Sequence, residues 1–214
     1  MVVVEDLISI SEYTRPGRKR PETLAVILHW VANPGTTAKM NRDYFEYQVP
    51  KLEKWASAHY IIGVEGEIVH CIPEDEMAYH VGSERVDPAS GRIYTDWARA
   101  RFGKYAIDYE SWSPNCCTIG IELCHVDWAG RFPEETLESA RELCARLCRE
   151  WELDPMRDIG THFEVVGWKK CPRWFAERPE EFGEFRKGVE AILLRDAHGR
   201  GIPAAALHLW EVKE

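Results

Sequence analysis

The sequence predicts a single α/β domain, with a central mixed sheet covered by helices on both faces. Three observations carry that expectation. Apolar runs of strand length alternate with longer segments of 3.6-residue periodicity. No internal repeat or low-complexity tract interrupts them. A chain of 214 residues, 45% of them hydrophobic, is long enough for one substantial core. Interleaved strands and helices of this kind bury a sheet between helical layers.

The elements follow in order. Residues 1–22 include Arg15-Pro-Gly-Arg-Lys-Arg-Pro21 and read as a polar, proline-broken entry arm whose basic cluster is solvated. Residues 24–28 form a buried strand that ends at His29, and a helix is expected over about 37–48. Strands at 59–64 and 67–72 are joined by Glu65-Gly66, which has hairpin chemistry. Residues 83–115 lack strong periodicity but carry Tyr94, Trp97, Phe102, Tyr105, Tyr109 and Trp112. Such a segment is a functional lid or a small helical excursion, and its rings either stack on sugar and pack peptide side chains or cover a local mini-core.

A strand at 118–124 puts Ile119, Ile121 and Leu123 on one face and Glu122 on the other. The helix at 134–151 has the clearest stripe, Leu137, Ala140, Leu143, Cys144, Leu147, Cys148 and Trp151. Pro133, Glu134 and Glu135 suit its N-terminus. Cys144 and Cys148 belong to that stripe rather than to a metal pair. The last helix, 179–195, shows Phe182, Phe185, Val189 and Ile192 on one side. The division expected is an arm over 1–22, a catalytic core over 23–195 and a short tail over 196–214.

A net charge of -9 argues against a phosphate-binding surface, so nucleic acid is not an expected partner. No apolar stretch approaches the roughly 18 to 20 residues of a membrane span. The opening Met1-Val-Val-Val-Glu-Asp6 lacks the basic region and apolar block of a secretory signal, so cytoplasmic synthesis is expected. Seven cysteines in no framework spacing point to reduced thiols, and Cys116-Cys117 has no assigned partner.

The chemistry concentrates in Gly160-Thr-His-Phe-Glu-Val-Val-Gly-Trp-Lys-Lys-Cys-Pro172. One loop there offers His162, Lys169 and Cys171 to a common site, and His29 at its strand end supplies a second imidazole. Two imidazoles and a thiolate leave the fourth position of a tetrahedral zinc ion open, as hydrolysis requires.

Five pieces recur in order over most of the chain: Val26-Ile-Leu-His29, Ala58-His-Tyr-Ile-Ile-Gly-Val-Glu-Gly66, Met77-Ala-Tyr-His-Val-Gly82, Ile119-Gly-Ile-Glu122 and His162 followed by Lys169-Lys-Cys-Pro172. Together they resemble the zinc-dependent N-acetylmuramoyl-L-alanine amidases, the type-2 amidases related to peptidoglycan recognition proteins. The phage and prophage endolysin forms, with Lys-x-Cys-Pro after the second zinc histidine, are most similar. The resemblance implies one zinc ion per chain on His29, His162 and Cys171, and Glu122 as the proton carrier. It implies Lys169 at the oxyanion, with Lys170 competing, and peptidoglycan or a muropeptide as substrate. His80, His59 and Tyr60 are the expected substrate contacts, with a structural role as the alternative for both histidines, His59 by satisfying the core at a strand start. An endolysin-like protein would reach the cell wall through holin-type release.

One position departs from the pattern. Some relatives place a tyrosine immediately before the His59 position, where this chain has Ala58. Tyr60, Tyr79 or Glu122 would then take over that tyrosine's work. Two other readings stay open. A recycling amidase for soluble anhydro-muropeptides typically has aspartate where Cys171 stands, and a muropeptide-binding module commonly lacks the cysteine ligand.

Overall fold

The computed structural model describes residues 2–83, 85–107 and 113–199. Its strands are β1 (Val3–Glu5), β2 (Ala25–Trp30), β3 (Tyr60–Ile62), β4 (Ile68–His70), β5 (Thr118–Leu123) and β6 (Ile159–Thr161). They form one mixed sheet in the order β1-β4-β3-β5-β2-β6. The β3–β4 hairpin is antiparallel and the other neighbouring pairs are parallel. β2 and β5 sit inside the sheet and are buried on both faces, which is why they read as near-continuous apolar runs. The hairpin turns as expected. Gly66 takes φ 80°, and the Gly63 N–H donates to the Glu67 carbonyl at 2.8 Å.

The helices are α1 (Ala38–Asp43), α2 (Asp96–Phe102), α3 (Glu134–Glu150), α4 (Pro155–Asp158), α5 (His162–Val166), α6 (Arg173–Glu177) and α7 (Pro179–Gly199). α1 is capped by the Thr37 hydroxyl and continues as a wider turn over Tyr44–Gln48. α3 and α7 cover one sheet face. Val26, Leu28, Ile119, Ile121 and Leu123 pack there against Leu143, Cys144, Phe182 and Val189. The opposite face carries two smaller clusters. Ile27 packs with Tyr94, Phe102, Tyr105 and Val165, while Ile61 and Val69 pack with Ala38 and Phe45. The aromatic segment thus builds a mini-core against the sheet, with Trp97 and Phe102 edge to face at 5.5 Å. Tyr109, Trp112 and residues 200–214 of the expected tail lie outside the described residues.

Two expectations are corrected at this level. Tyr60, expected among the substrate contacts, lies on the sheet face opposite His29 and Glu122. Strand alternation turns its ring toward α3 and α7, where its hydroxyl donates to Glu74. Glu74 also accepts from Arg146 at 2.7 Å and from Trp151 at 2.8 Å, so the tyrosine sits in a satisfied network behind the sheet. The arm's basic cluster is not simply solvated either. Arg15 pairs with Glu76 at 2.7 Å, and buried Arg20 donates to the Glu74 carbonyl and lies over the Trp151 ring. Carboxylates and carbonyls of residues 74–76 give those guanidinium groups partners that a sequence pattern does not display.

Among the described residues, no helix is long and apolar enough to cross a membrane. One buried ion pair ties the mini-core to the segment that leads into β6. Fully buried Asp158 meets Arg101 of α2 at 2.7 Å and also accepts the Asp154 N–H at 2.9 Å. Removing one partner of such a pair strands the other charge, at a cost of about 3–5 kcal/mol. Asp158→Ala is expected to lower unfolding stability by about that amount. Urea titration followed by fluorescence measures it, and a loss below about 1 kcal/mol would show that the pair is not needed.

Candidate metal centre and catalytic cleft

The parallel register places the site. His29 on β2 pairs with Glu122 on β5, and Glu122 pairs with Ile61 on β3, so all three share one face. β6 pairs with β2 on its other side and ends at Thr161, and His162 follows as the first residue of α5. The functional side chains therefore gather at the carboxyl ends of parallel strands, where open α/β sheets bind their ligands.

α5 is short and strongly capped. The Thr161 hydroxyl accepts from the Glu164 N–H at 3.1 Å while the Glu164 carboxylate accepts from the Thr161 N–H at 2.9 Å. Gly167, at φ 74°, ends the helix, and the chain returns so that the Phe163 N–H donates to the Cys171 carbonyl at 2.9 Å. That bond closes the eight-residue excursion between His162 and Cys171. The Thr161-x-x-Glu164 spacing is a readable sign of this helix start, whereas β1, β6, α4 and α6 are too short to leave a periodic signal.

His29, His162 and Cys171 converge. Their candidate ligand atoms lie within 4.8 Å of one another, and all three residues are buried. Nδ1 of His29 is 3.2 Å from Nδ1 of His162 and 3.6 Å from Sγ of Cys171. Tetrahedral zinc with ordinary bond lengths would separate nitrogen from nitrogen by about 3.3 Å and nitrogen from sulfur by about 3.6 Å. The two separations from His29 match those values, and the donor set suits a metal ion of that kind chemically. Burial, then the neighbouring His162, His80 and Lys169, hold His29 well below the usual imidazole range. Burial and Lys169 do the same to His162. Both rings are thus neutral donors. Burial pushes the Cys171 thiol up to about 12, with the Glu122 charge adding to the rise. A cation at this point reverses that cost by stabilising the thiolate.

Glu122 projects into the same space. Burial raises its carboxyl to about 8 against the pull of Lys169, and its Oε2 is buried without a hydrogen-bond partner among the described residues. Lys169 is exposed at the rim and its charge reaches Glu122, His29, His162 and Cys171. Lys170 turns away to pair with Glu177 at 3.1 Å. All these groups except Lys170 line an open cleft of ≈ 1090 Å³, whose walls include Trp55, Tyr79, Arg85, Tyr94 and Trp168.

The remaining expected contacts divide. His80 lines the cleft, but both its ring nitrogens are engaged, Nδ1 with His29 Nε2 and Nε2 with the Thr118 hydroxyl, each at 3.0 Å. Burial lowers its imidazole to about 3, opposed by the Thr118 backbone. His59 follows the structural alternative: it is fully buried and absent from the cleft wall. Its Nδ1 accepts from the Gly120 N–H at 3.0 Å, which leaves Nε2–H to donate to the Glu76 carbonyl at 2.9 Å. Of the tyrosines considered as substitutes at the Ala58 departure, Tyr79 reaches the cleft and Tyr60 does not.

Comparison with known proteins agrees with this geometry. The chain is 31% identical over 193 residues to a probable N-acetylmuramoyl-L-alanine amidase of Bacillus licheniformis, covering 90% of this chain and 48% of that protein. It is 30% identical over 190 residues to the N-acetylmuramoyl-L-alanine amidase BlyA of Bacillus subtilis (strain 168), covering 89% and 47%. It thus spans about half the length of the curated relatives it matches. Among solved structures, the catalytic domain of XlyA superposes with a TM-score of 0.61 at 21% identity, covering 88% of this chain and 99% of that one. PlyL superposes with a TM-score of 0.59 at 18% identity, covering 88% and 97%. These likenesses establish the shared fold. The N-acetylmuramoyl-L-alanine amidase family model matches residues 19–174, a span that takes in His29, Glu122, His162, Lys169 and Cys171. With the core strands and the whole converging site inside the matched span, this chain belongs to the N-acetylmuramoyl-L-alanine amidase family.

Proposed function

We propose that this chain hydrolyses the amide between the lactyl group of N-acetylmuramic acid and L-alanine in peptidoglycan, with one zinc ion held by His29, His162 and Cys171. The observation that supports this most is the buried His-His-Cys set beside a carboxyl of raised pKa, both opening onto one large cleft. Retention of Cys171 favours a cell-wall hydrolase over the recycling and binding-only readings. When bound, zinc supplies Lewis acidity, polarising the scissile carbonyl and making a water nucleophilic near neutral pH.

The protein's own groups do the rest. Glu122 accepts the proton of the attacking water as the oxygen adds to the carbonyl carbon. It returns that proton to the nitrogen of L-alanine as the C–N bond breaks, giving a lactyl carboxylate and a free amino terminus. Lys169 brings positive charge to the rim where the oxyanion develops. Trp55, Tyr94 and Trp168 line the cleft, where aromatic side chains suit contact with sugar or peptide.

Zinc-loaded protein incubated with purified peptidoglycan is expected to release new L-alanine amino termini, and their absence would defeat the proposal. Glu122→Gln should keep zinc and lose about 10²–10⁴-fold in turnover. Full activity in that variant would remove Glu122 from the reaction. Lys169→Ala should cost about 10²–10³-fold in kcat while Lys170→Ala stays close to the parent. Equal losses in the two would refute the assignment.

Glu122 also sets a pH signature in the metal-free protein. Its folded pKa, about 8, lies above the ordinary carboxylate value, so the folded state holds a proton that the unfolded state has released. Stability from this group is complete below about pH 4 and falls as pH rises towards 8. Glu122→Gln should remove that loss, making the metal-free variant more stable than the parent at pH 8 and similar at pH 4. Denaturant titrations at the two pH values check this, and an unchanged difference between the proteins would contradict it.

A further inference from the structure

We infer that His80 and Thr118 fix the tautomer of His29, through a one-directional hydrogen-bond chain that ends on the Pro114 carbonyl. The inference rests on the metal reading above for its purpose, but its direction follows from the atoms alone. The Pro114 carbonyl can only accept, so the Thr118 hydroxyl, 2.7 Å away, spends its single proton there. The Thr118 oxygen must then accept from Nε2–H of His80 at 3.0 Å. Protonated on Nε2, the buried neutral ring of His80 has a bare Nδ1, which accepts from Nε2–H of His29 at 3.0 Å. The lone pair of His29 is thereby left on Nδ1, the atom facing His162 and Cys171.

The surroundings hold this chain in place. The Asn115 side-chain oxygen accepts the backbone N–H groups of His80 at 3.0 Å and Val81 at 2.8 Å. Gly120 leaves room for the ring, since a Cβ there would come within 2.5 Å of His80 Cγ. His80 is therefore a positioning residue rather than the substrate contact expected from sequence. Nε2 of His162 meets no comparable partner among the described residues, so the chain orients one of the two imidazoles. Partners of this kind typically change metal affinity by about 10–100-fold when removed.

Zinc affinity, measured by competition with a chromophoric chelator, tests the chain on the full protein. Thr118→Val keeps the shape but cannot accept from His80, and is expected to weaken zinc binding by about 10–100-fold. Thr118→Ser restores the hydroxyl and should return affinity to within about threefold of the parent; a merely packing role would not separate the two variants in this way. Parent-like affinity in Thr118→Val would overturn the inference. If that variant does not fold, ¹⁵N NMR of the histidine rings in the zinc-free parent decides. Nε2–H at both His29 and His80 supports the chain, and Nδ1–H at His29 refutes it. A parent that binds no zinc would remove the metal reading alone, because ring protonation in the metal-free protein still reports on the chain.

Discussion

The parallel register between β2 and β5 is the constraint on which the site depends. It sets His29 beside Glu122 and turns both to the face opposite the large core. Because side chains alternate along a strand, a slip of one residue would send His29 and Glu122 into the α3–α7 core and bring Leu28 and Ile121 to the cleft. The apolar partners on the other face resist that slip. Val26, Leu28, Ile119, Ile121 and Leu123 are all fully buried against α3 and α7. The hydrophobic core thus fixes the chemistry indirectly, by making only one register affordable.

The third strand end adds precision through a different device. β6 is only three residues long and lies at the sheet edge, so its pairing alone would hold His162 loosely. The reciprocal Thr161–Glu164 cap, the pairing of Glu164 with Arg186 of α7 at 2.8 Å, and the return bond from Phe163 to Cys171 hold it more firmly. Two of the proposed ligands are thereby carried on one short, closed unit, and the third comes from the central sheet. The Asp158–Arg101 pair anchors the residues immediately before β6 to the aromatic mini-core. The mini-core in turn contributes Tyr94 to the cleft wall, so support and binding surface belong to the same segment.

The fold class and the converging residues were legible because they leave local marks. Strand-length apolar runs, a 3.6-residue stripe in α3 and the in-order motifs around His29, Glu122 and His162–Cys171 are all visible in the chain. What escaped was information held in pairs of distant residues. Tyr60 and Ile61 look alike as neighbours in one strand, and only the sheet shows which of them faces α3. His59 and His80 both sit in motif-like surroundings. Their roles diverge because Gly120 and Glu76 satisfy one ring while His29 and Thr118 engage the other. Arg20 read as solvated because its acceptors come from residues 54 and 56 positions later.

A site this dry is expensive in folding terms. Among the described residues it keeps a carboxyl oxygen unpartnered, holds a thiol against ionisation and packs the rings of His80 and His162 edge to face against His29 at about 5 Å. No stabilising logic recommends such an arrangement in an empty core, where apolar side chains of the same volume would serve better. The proposed cation would account for it. A positive charge at that point would relieve the thiol, give the Nδ1 of His29 a partner and attract the Glu122 carboxylate. In that reading, binding the metal and preparing the reaction are one electrostatic event.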